Sequence, residues 1–279
     1  MTRTRWAGAI VLAMLAFACS PASRAATSGP STRRTATAVS LQIVSYNIRH
    51  GRGADDALDL ERTAAVLRSL RADVIGLQEV DERVERSGRV DEAAALGAAL
   101  GFRHAFGSFM DYQGGRYGLA ILSRHPITGS RAVRLPDGNE PRVALAAQVE
   151  LPGGRPLMVI NVHFDWVDDD AFRFAQARAL TAFIDSLTMP YVLLGDFNDQ
   201  PGSRTLELFQ QRAIELRKPA GDRFTFPSSL PNKEIDFVFV APAAAWRAGE
   251  AWVVEEKLAS DHRPVAATAT LLGSADRRP

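Results

Sequence analysis

The sequence predicts an α/β protein built from mixed β-sheets covered by helices. Three observations lead there. Apolar runs of strand length recur along the chain, and many end in polar residues. Segments with helical spacing alternate with them. Hairpin-like pairs joined by tight-turn signals are interspersed, which argues against a doubly wound parallel sheet.

Taken in order, Leu41 to Asn47 reads as a first strand. Asp59 to Leu70 has Leu60, Ala64, Leu67 and Leu70 near helical spacing. Val74 to Gln78 is a buried strand, and Asp91 to Leu100 is a helix stopped by Gly101. Phe102 to Phe106 is a short strand, and Gly114-Gly115 marks a loop before the strand Tyr117 to Ser123. Arg131 to Leu135 and Val143 to Leu151 are joined through the turn signal Pro136-Asp137-Gly138-Asn139, with a second turn at Pro152-Gly153-Gly154-Arg155. That stretch predicts antiparallel hairpins. Leu157 to Val162 is a strand, Asp170 to Leu187 an amphipathic helix, and Tyr191 to Gly195 a strand. Ser203 caps a helix running to Gln211. Ile235 to Val240 and Val265 to Leu271 are the closing strands.

Composition is that of an ordinary globular protein: 279 residues, 46% hydrophobic and 23% charged, formal net charge +1. No global field recruits nucleic acid. Nothing inside the chain reads as an interdomain linker, so a single domain over 41–272 is expected, monomeric, with no obligate protein partner. Residues 273–279 are expected to be a disordered tail. Arg3 and Arg5 precede the apolar run Ala7 to Ala18, which reads as the core of a signal peptide over 1–25. Two processing routes stay open. Ser23-Arg24-Ala25 is a small-x-small site. Cys19 follows Leu15-Ala16-Phe17-Ala18 and resembles a lipoprotein box, although Phe17 sits where a small residue is usual. A lipid on Cys19 would attach the protein to a membrane. Export to a bacterial periplasm, envelope or exterior is expected either way. Cys19 is the only cysteine, so the mature chain has no intramolecular disulfide. Residues 26–40, rich in Ser, Thr, Ala and Arg, read as a flexible tether, with the fold beginning near Val39.

The chemistry sits in short polar clusters at strand ends. Asp196 and Asn198 flank Phe197 after a strand; if the strand continued, both side chains would face one side. A carboxylate beside an amide can hold a water and a phosphate oxygen, or a metal. The plainer reading is an Asx turn. Glu79 ends an apolar strand, where a glutamate usually just reaches solvent; with other acids converging it suits a hard divalent cation. Asn47 can add a neutral oxygen. His163 and His262 are two of five histidines, and Asp236 is a candidate partner that would fix the tautomer of His262. His104 and His125 read as structural, and His50 is ambiguous. Arg142 can clamp a phosphate bidentately or make a surface ion pair. Tyr117 can donate to a phosphate or pack in the core.

Together these clusters resemble the endonuclease/exonuclease/phosphatase superfamily, which includes pancreatic-type deoxyribonucleases, abasic-site endonucleases, inositol-polyphosphate phosphatases and bacterial sphingomyelinases. The resemblance covers Leu41 to about Leu272 and rests on six elements in the family's order: Ser45-Tyr46-Asn47-Ile48, Leu77-Gln78-Glu79-Val80, Gly118 to Ser123, Gly195-Asp196-Phe197-Asn198, Ile235-Asp236-Phe237-Val238 and Ser260-Asp261-His262-Arg263-Pro264-Val265. It implies a four-layer sandwich, with two mixed sheets face to face and helices outside. It also implies roles. Glu79 would bind a divalent metal with Asn47 and Asp261. Asp196 and Asn198 would orient water and phosphate. His262, paired with Asp236, would be the general base, and His163 would contact the phosphate or assist the leaving group. Tyr117 and Arg142 would bind substrate. The expected activity is an exported phosphodiesterase or phosphatase using Mg²⁺, with Mn²⁺ or Ca²⁺ as alternatives; a nuclease, a sphingomyelinase-type phospholipase and a catalytically silent binding module are the competing readings.

Residue types leave the phosphoester substrate open, since fold and centre do not select it. The expected specificity loops are Arg83 to Arg89, Phe109 to Arg116 and Phe164 to Asp170. Arg83, Arg86, Arg89 and Arg116 in the first two offer charge to an anionic substrate.

Overall fold

A computed structural model describes residues 37–273, which form two six-stranded mixed sheets. The signal peptide, most of the tether and the tail expected from the sequence lie outside the described residues. The strands are β1 (Val39–Asn47), β2 (Val74–Glu82), β3 (Arg103–Tyr112), β4 (Gly115–Ser123), β5 (Ile127–Arg134), β6 (Val143–Leu151), β7 (Arg155–His163), β8 (Tyr191–Asp196), β9 (Ile214–Glu215), β10 (Asp236–Ala241), β11 (Trp246–Val253) and β12 (Val265–Leu271). The α-helices are α1 (Leu60–Ser69), α2 (Glu92–Leu100), α3 (Ala171–Asp185) and α4 (Arg204–Gln210). One sheet has the order β11-β12-β1-β2-β4-β3, the other β5-β6-β7-β8-β10-β9.

Strand alternation makes the layers. Leu41 and Ile43 of β1 share a buried cluster with Leu119 of β4 and with Leu145, Val159, Val192 and Val238 of the opposite sheet. That cluster is the core between the sheets. Val44 and Tyr46, the intervening residues of β1, face a second core with Ala64 and Leu67 of α1 and Leu96 of α2. Ile160 of β7, Leu193 of β8 and Phe239 of β10 face a third, with Leu180 of α3 and Phe209 of α4. A period of two puts successive side chains on opposite faces, so strands buried on both sides read as continuous apolar runs. The result is the four-layer sandwich, helix–sheet–sheet–helix.

One parallel pair lies at the centre of each sheet: β1 with β2, and β7 with β8. The remaining pairings are antiparallel. A parallel pair needs a long crossover, here supplied by α1 and α3. Helix ends follow local chemistry. Asp59, Asp91 and Ser203 accept hydrogen bonds from Arg62, Ala94 and Leu206 backbone N–H groups at 2.9, 3.0 and 3.3 Å. Gly101 stops α2 at φ 70°, a backbone conformation that costs glycine least.

Several boundaries differ from expectation. β3 runs to Tyr112 and meets β4 through the two-residue connection Gln113–Gly114, so Phe109 to Arg116 is a hairpin and not a loop. The glycines that signalled a loop signal its turn. β11 was not foreseen: it is an edge strand with a register shift between Ala248 and Ala251 and long exposed stretches, which erase the alternating pattern. β2 passes through Glu79 to Glu82 instead of ending at Gln78.

Candidate active site

Asn47 ends β1, His163 ends β7, Asp196 ends β8 and Asp236 begins β10 directly opposite Asp196 in register. β12 begins three residues after His262. Because both parallel pairs point the same way, the C-terminal ends of their strands meet at one edge of the sandwich. That edge carries a cleft of about 510 Å³. Glu79, Tyr117, Arg142, His163, Asp196, Asn198, Asp261 and His262 line it. Asn47 and Asp236 stand one layer behind, bonded to residues of the lining. The ten residues singled out from the sequence therefore converge on one place.

Each is set by local backbone features. A β-bulge between Leu77 and Val80 places Glu79 at φ 57°, a left-handed conformation costing about 1 kcal/mol for an L residue. The bulge turns the carboxylate out of the pleat toward the cleft. β8 ends at Asp196, and Asn198 sits at φ 49° with its N–H donating to Asp196 Oδ1 at 2.9 Å. The two side chains are thus not strand neighbours on one face; they are joined by an Asx turn, which the positive φ permits. Asn198 Nδ2 donates to Phe164 O at 3.0 Å. Phe197, between them, is fully buried among Phe164, Phe209, Phe237 and Phe239 at ring distances of 5.5–5.6 Å. Its anchoring fixes the turn.

The polar groups form a connected set. Asn47 Nδ2 donates to Glu79 Oε1 at 3.0 Å and to Asp196 Oδ2 at 3.1 Å. Asn47 Oδ1 accepts from Arg49 N at 3.1 Å, which fixes the amide's orientation. His262 Nε2 and His163 Nε2 lie 3.6 and 3.5 Å from Asp196 Oδ2. Arg142 Nη1 lies 3.4 Å from His163 Nδ1, and its guanidinium pairs with Glu140 at 2.9 Å. Arginine can only donate, so Nδ1 of His163 accepts and Nε2 carries the proton. Arg142 is 1% exposed. It belongs to the cleft and is not a surface ion pair.

Electrostatics follow from burial and crowding. Burial pushes Asp196 up to about 7, with the Asp236 charge adding and His262 opposing. Burial raises Glu79 as well, and Asp261 adds to it. Burial, Arg142 and His262 hold His163 well below the usual imidazole range, so it is neutral. Burial works against charge on His262, but Asp236 and Asp196 outweigh it and push it up to about 10. Tyr117 is raised by burial and by Glu79, and remains a phenol donor.

The carboxylates suit a hard divalent cation: Glu79 and Asp261 offer oxygens. Asn47, expected to add a neutral oxygen, instead turns its amide N–H groups to Glu79 and Asp196 and its oxygen to Arg49 N, so it positions the Glu79 carboxylate. Asp196, Asp236 and His262 also each place one donor atom within 4.8 Å of the others. Within that trio the Asp236–His262 hydrogen bond already engages two members.

Sequence reasoning missed supporting residues. Ser260 Oγ donates to Asn47 O at 2.7 Å, tying the Asp261–His262 segment to β1. Lys218 Nζ, buried against Glu234 at 3.1 Å, donates to Asp236 O at 2.7 Å. Ser260 stood inside a motif and could have been read; Lys218 lies in an irregular stretch with no signal. Trp166, Asp168, Asp199, Phe226 and Lys233 also line the cleft. The arginines expected in the first two specificity loops do not line the cleft. Arg86 is pinned to Asp81 at 2.8 and 2.9 Å, Arg89 to Glu85 and Arg116 to Glu82, and Arg83 is exposed outside it. Their acids lie close in sequence or on the neighbouring strand, so pairing wins over substrate contact. The third expected loop does reach the cleft, through Trp166 and Asp168.

Comparisons with known proteins agree with this geometry. The model of the Endonuclease/Exonuclease/phosphatase family matches residues 44–262. The uncharacterized protein YbhP of Escherichia coli strain K12 is 28% identical over 244 residues, covering 82% of this chain and 95% of that protein. The endonuclease/exonuclease/phosphatase of Bacteroides vulgatus superposes with a TM-score of 0.70 at 21% identity, over 84% of this chain and 99% of the other. The Bacteroides thetaiotaomicron mannosyl-6-phosphatase does so with a TM-score of 0.67 at 19% identity, over 82% and 98%. The chain, whose family match spans the strands that build the cleft, belongs to the endonuclease/exonuclease/phosphatase family of hydrolases.

Proposed function

We propose that this protein is a divalent-metal-dependent phosphoester hydrolase that acts at the cleft, and that it is exported. The observation that carries the reading is the convergence on one cavity of buried acids, a buried Asp–His pair and a buried arginine. Export rests on the leader-like sequence of residues 1–25.

Glu79 and Asp261 would hold the cation, which when bound polarises a phosphoryl oxygen and offsets developing charge, and Asn47 Nδ2 orients the Glu79 carboxylate. Arg142 and Tyr117 orient the phosphate by donating to its oxygens. Asn198 and Asp196 hold the attacking water. The sequence suggested His262 as the general base; the Asp236 and Asp196 carboxylates favour its charged form, and burial raises Asp196, so this reading gives the proton-accepting role to Asp196. Asp196 takes the water proton as the water oxygen bonds to phosphorus. His262, oriented by Asp236, presents positive charge to the phosphoryl oxygens. His262 and Asp196 lie 3.6 Å apart and so occupy one face of the phosphate. The bond to the leaving oxygen breaks on the opposite face, and that oxygen takes a proton from solvent at the cleft mouth.

The test is turnover of generic phosphomonoesters and phosphodiesters by the exported protein with Mg²⁺, Mn²⁺ or Ca²⁺. Activity that needs added metal and disappears on chelation supports the proposal. Full activity after exhaustive chelation and dialysis, or no hydrolysis of any phosphoester, overturns it.

A further inference from the structure

The mouth of the cleft is built differently from its floor. Trp166, in the loop between β7 and α3, is 57% exposed and lines the opening. A large aromatic that lines a cleft offers a flat apolar ring face to whatever enters it. The loop does not expose it by being loose. Arg173, buried in α3, donates to the carbonyls of Asp165 and Val167, on either side of Trp166. Gln176 Oε1 accepts from Asp165 N at 2.9 Å, and Asp165 Oδ2 accepts from Asn139 N at 2.6 Å. Asp165 and Gln176 are fully buried. Buried polar side chains thus hold the backbone while the indole stays presented, which is how a rigid binding platform is made.

The charges around it select against a polyanion. Glu140, Asp168 and Asp199 line the same cleft. Arg142, which serves the reacting phosphate, has its charge balanced by Glu140 at 2.9 Å, and Arg173 pairs with Asp199 at 3.4 Å. Lys233 is the lining cation with no acidic partner among the described residues. Phosphates beyond the reacting one would meet these carboxylates. A flat apolar face beside hydroxyl acceptors complements a ring with C–H faces and hydroxyl edges.

We propose that the substrate is a monophosphate ester of a sugar, its ring stacked on Trp166 and its hydroxyls donating to the carboxylate of Asp168. This rests on the cleft's reading as a phosphoester hydrolase. The reaction balances as sugar phosphate plus water giving free sugar and inorganic phosphate, the water oxygen bonding to phosphorus as the sugar oxygen leaves.

The experiment compares kcat/KM for a hexose monophosphate, glycerol phosphate, an inositol trisphosphate, a short DNA duplex and sphingomyelin vesicles, in the metal-loaded wild type and Trp166→Ala. The hexose monophosphate should rank first, and Trp166→Ala should lower its preference over glycerol phosphate by about five- to tenfold, the scale of one aromatic contact. A second arm titrates tryptophan fluorescence with the hexose monophosphate in Asp196→Asn, with and without Trp166→Ala; the change should need Trp166. A leading rank for DNA, inositol trisphosphate or vesicles overturns the sugar assignment and leaves the hydrolase reading standing, as does an unchanged preference in Trp166→Ala. Hydrolysis of nothing overturns the hydrolase reading, and the fluorescence arm still decides the sugar site: no Trp166-dependent change rejects it.

Discussion

His262 Nδ1 lies 3.0 Å from Asp236 Oδ2, both side chains almost wholly buried. The bond fixes the ring so that Nε2 faces Asp196 and the cleft. If it works as proposed, His262→Ala should lower metal-saturated turnover by roughly 10²–10³-fold, the scale for losing one preorganised charge donor. Asp236→Asn should cost less, because the ring stays but loses its partner charge. The double variant should resemble His262→Ala, since the two act as a unit. Losses that simply multiply would show two independent residues.

The same pair sets a titration. In metal-free protein the His262 imidazole should titrate near 10, and Asp236→Asn should lower it by several units. NMR of the labelled imidazoles reads this, and a wild-type value below 7 would contradict the geometry. The sign for stability follows. The folded value lies above the unfolded 6.5, so the contribution is full below 6.5 and is lost as pH rises toward 10. Thermal stability of the metal-free protein should fall across that window.

Glu79 should be the residue through which metal stabilises the fold. Added Mg²⁺ or Mn²⁺ should raise Tm in the wild type by mass action, and Glu79→Gln should remove most of that rise. Calorimetry with and without metal measures it. An undiminished rise in Glu79→Gln would move the ion to the Asp196–Asp236–His262 trio.

Glu92 lies away from the cleft, its Oε2 accepting from Asp81 N at 2.8 Å. Burial holds its carboxyl well above the usual range, and the Asp81 charge adds. A raised carboxyl makes the fold bind more protons than the unfolded chain, so stability is lost as pH rises above 4.5. Glu92→Gln keeps an acceptor without the charge. It should raise stability at pH 8 and do little at pH 4, as denaturant unfolding at the two values would record.

Intact mass of protein from its native host should show a start near Ala26 or a lipidated Cys19. A full-length chain beginning at Met1 would reject export.

The sequence by itself determined most strands and helices and the inventory of the site; the four layers came from the family resemblance. Leu41, Ile43, Val44 and Tyr46 already declare a strand buried on both faces, and the caps Asp59, Asp91 and Ser203 act locally. Strand periodicity and capping depend on neighbours within a few positions, so both are legible in one dimension. The polar clusters were legible because strands that end in Asn47, His163 and Asp196 share one direction in the two parallel pairs. What only the tertiary structure decided is how those groups act on each other. The bulge that turns Glu79 and the Asn47 amide bridging two carboxylates depend on contacts between segments up to 149 positions apart, whereas the Asx turn from Asp196 to Asn198 is local and was already one reading of the sequence. The protonation states of Asp196 and His262 come from burial and from charges supplied by other strands. The presentation of Trp166 depends on Arg173 and on Asp165, whose own partners lie in the 138–140 turn and in α3. Desolvation and long-range pairing are properties of the assembled sandwich, and no local pattern of residues encodes them.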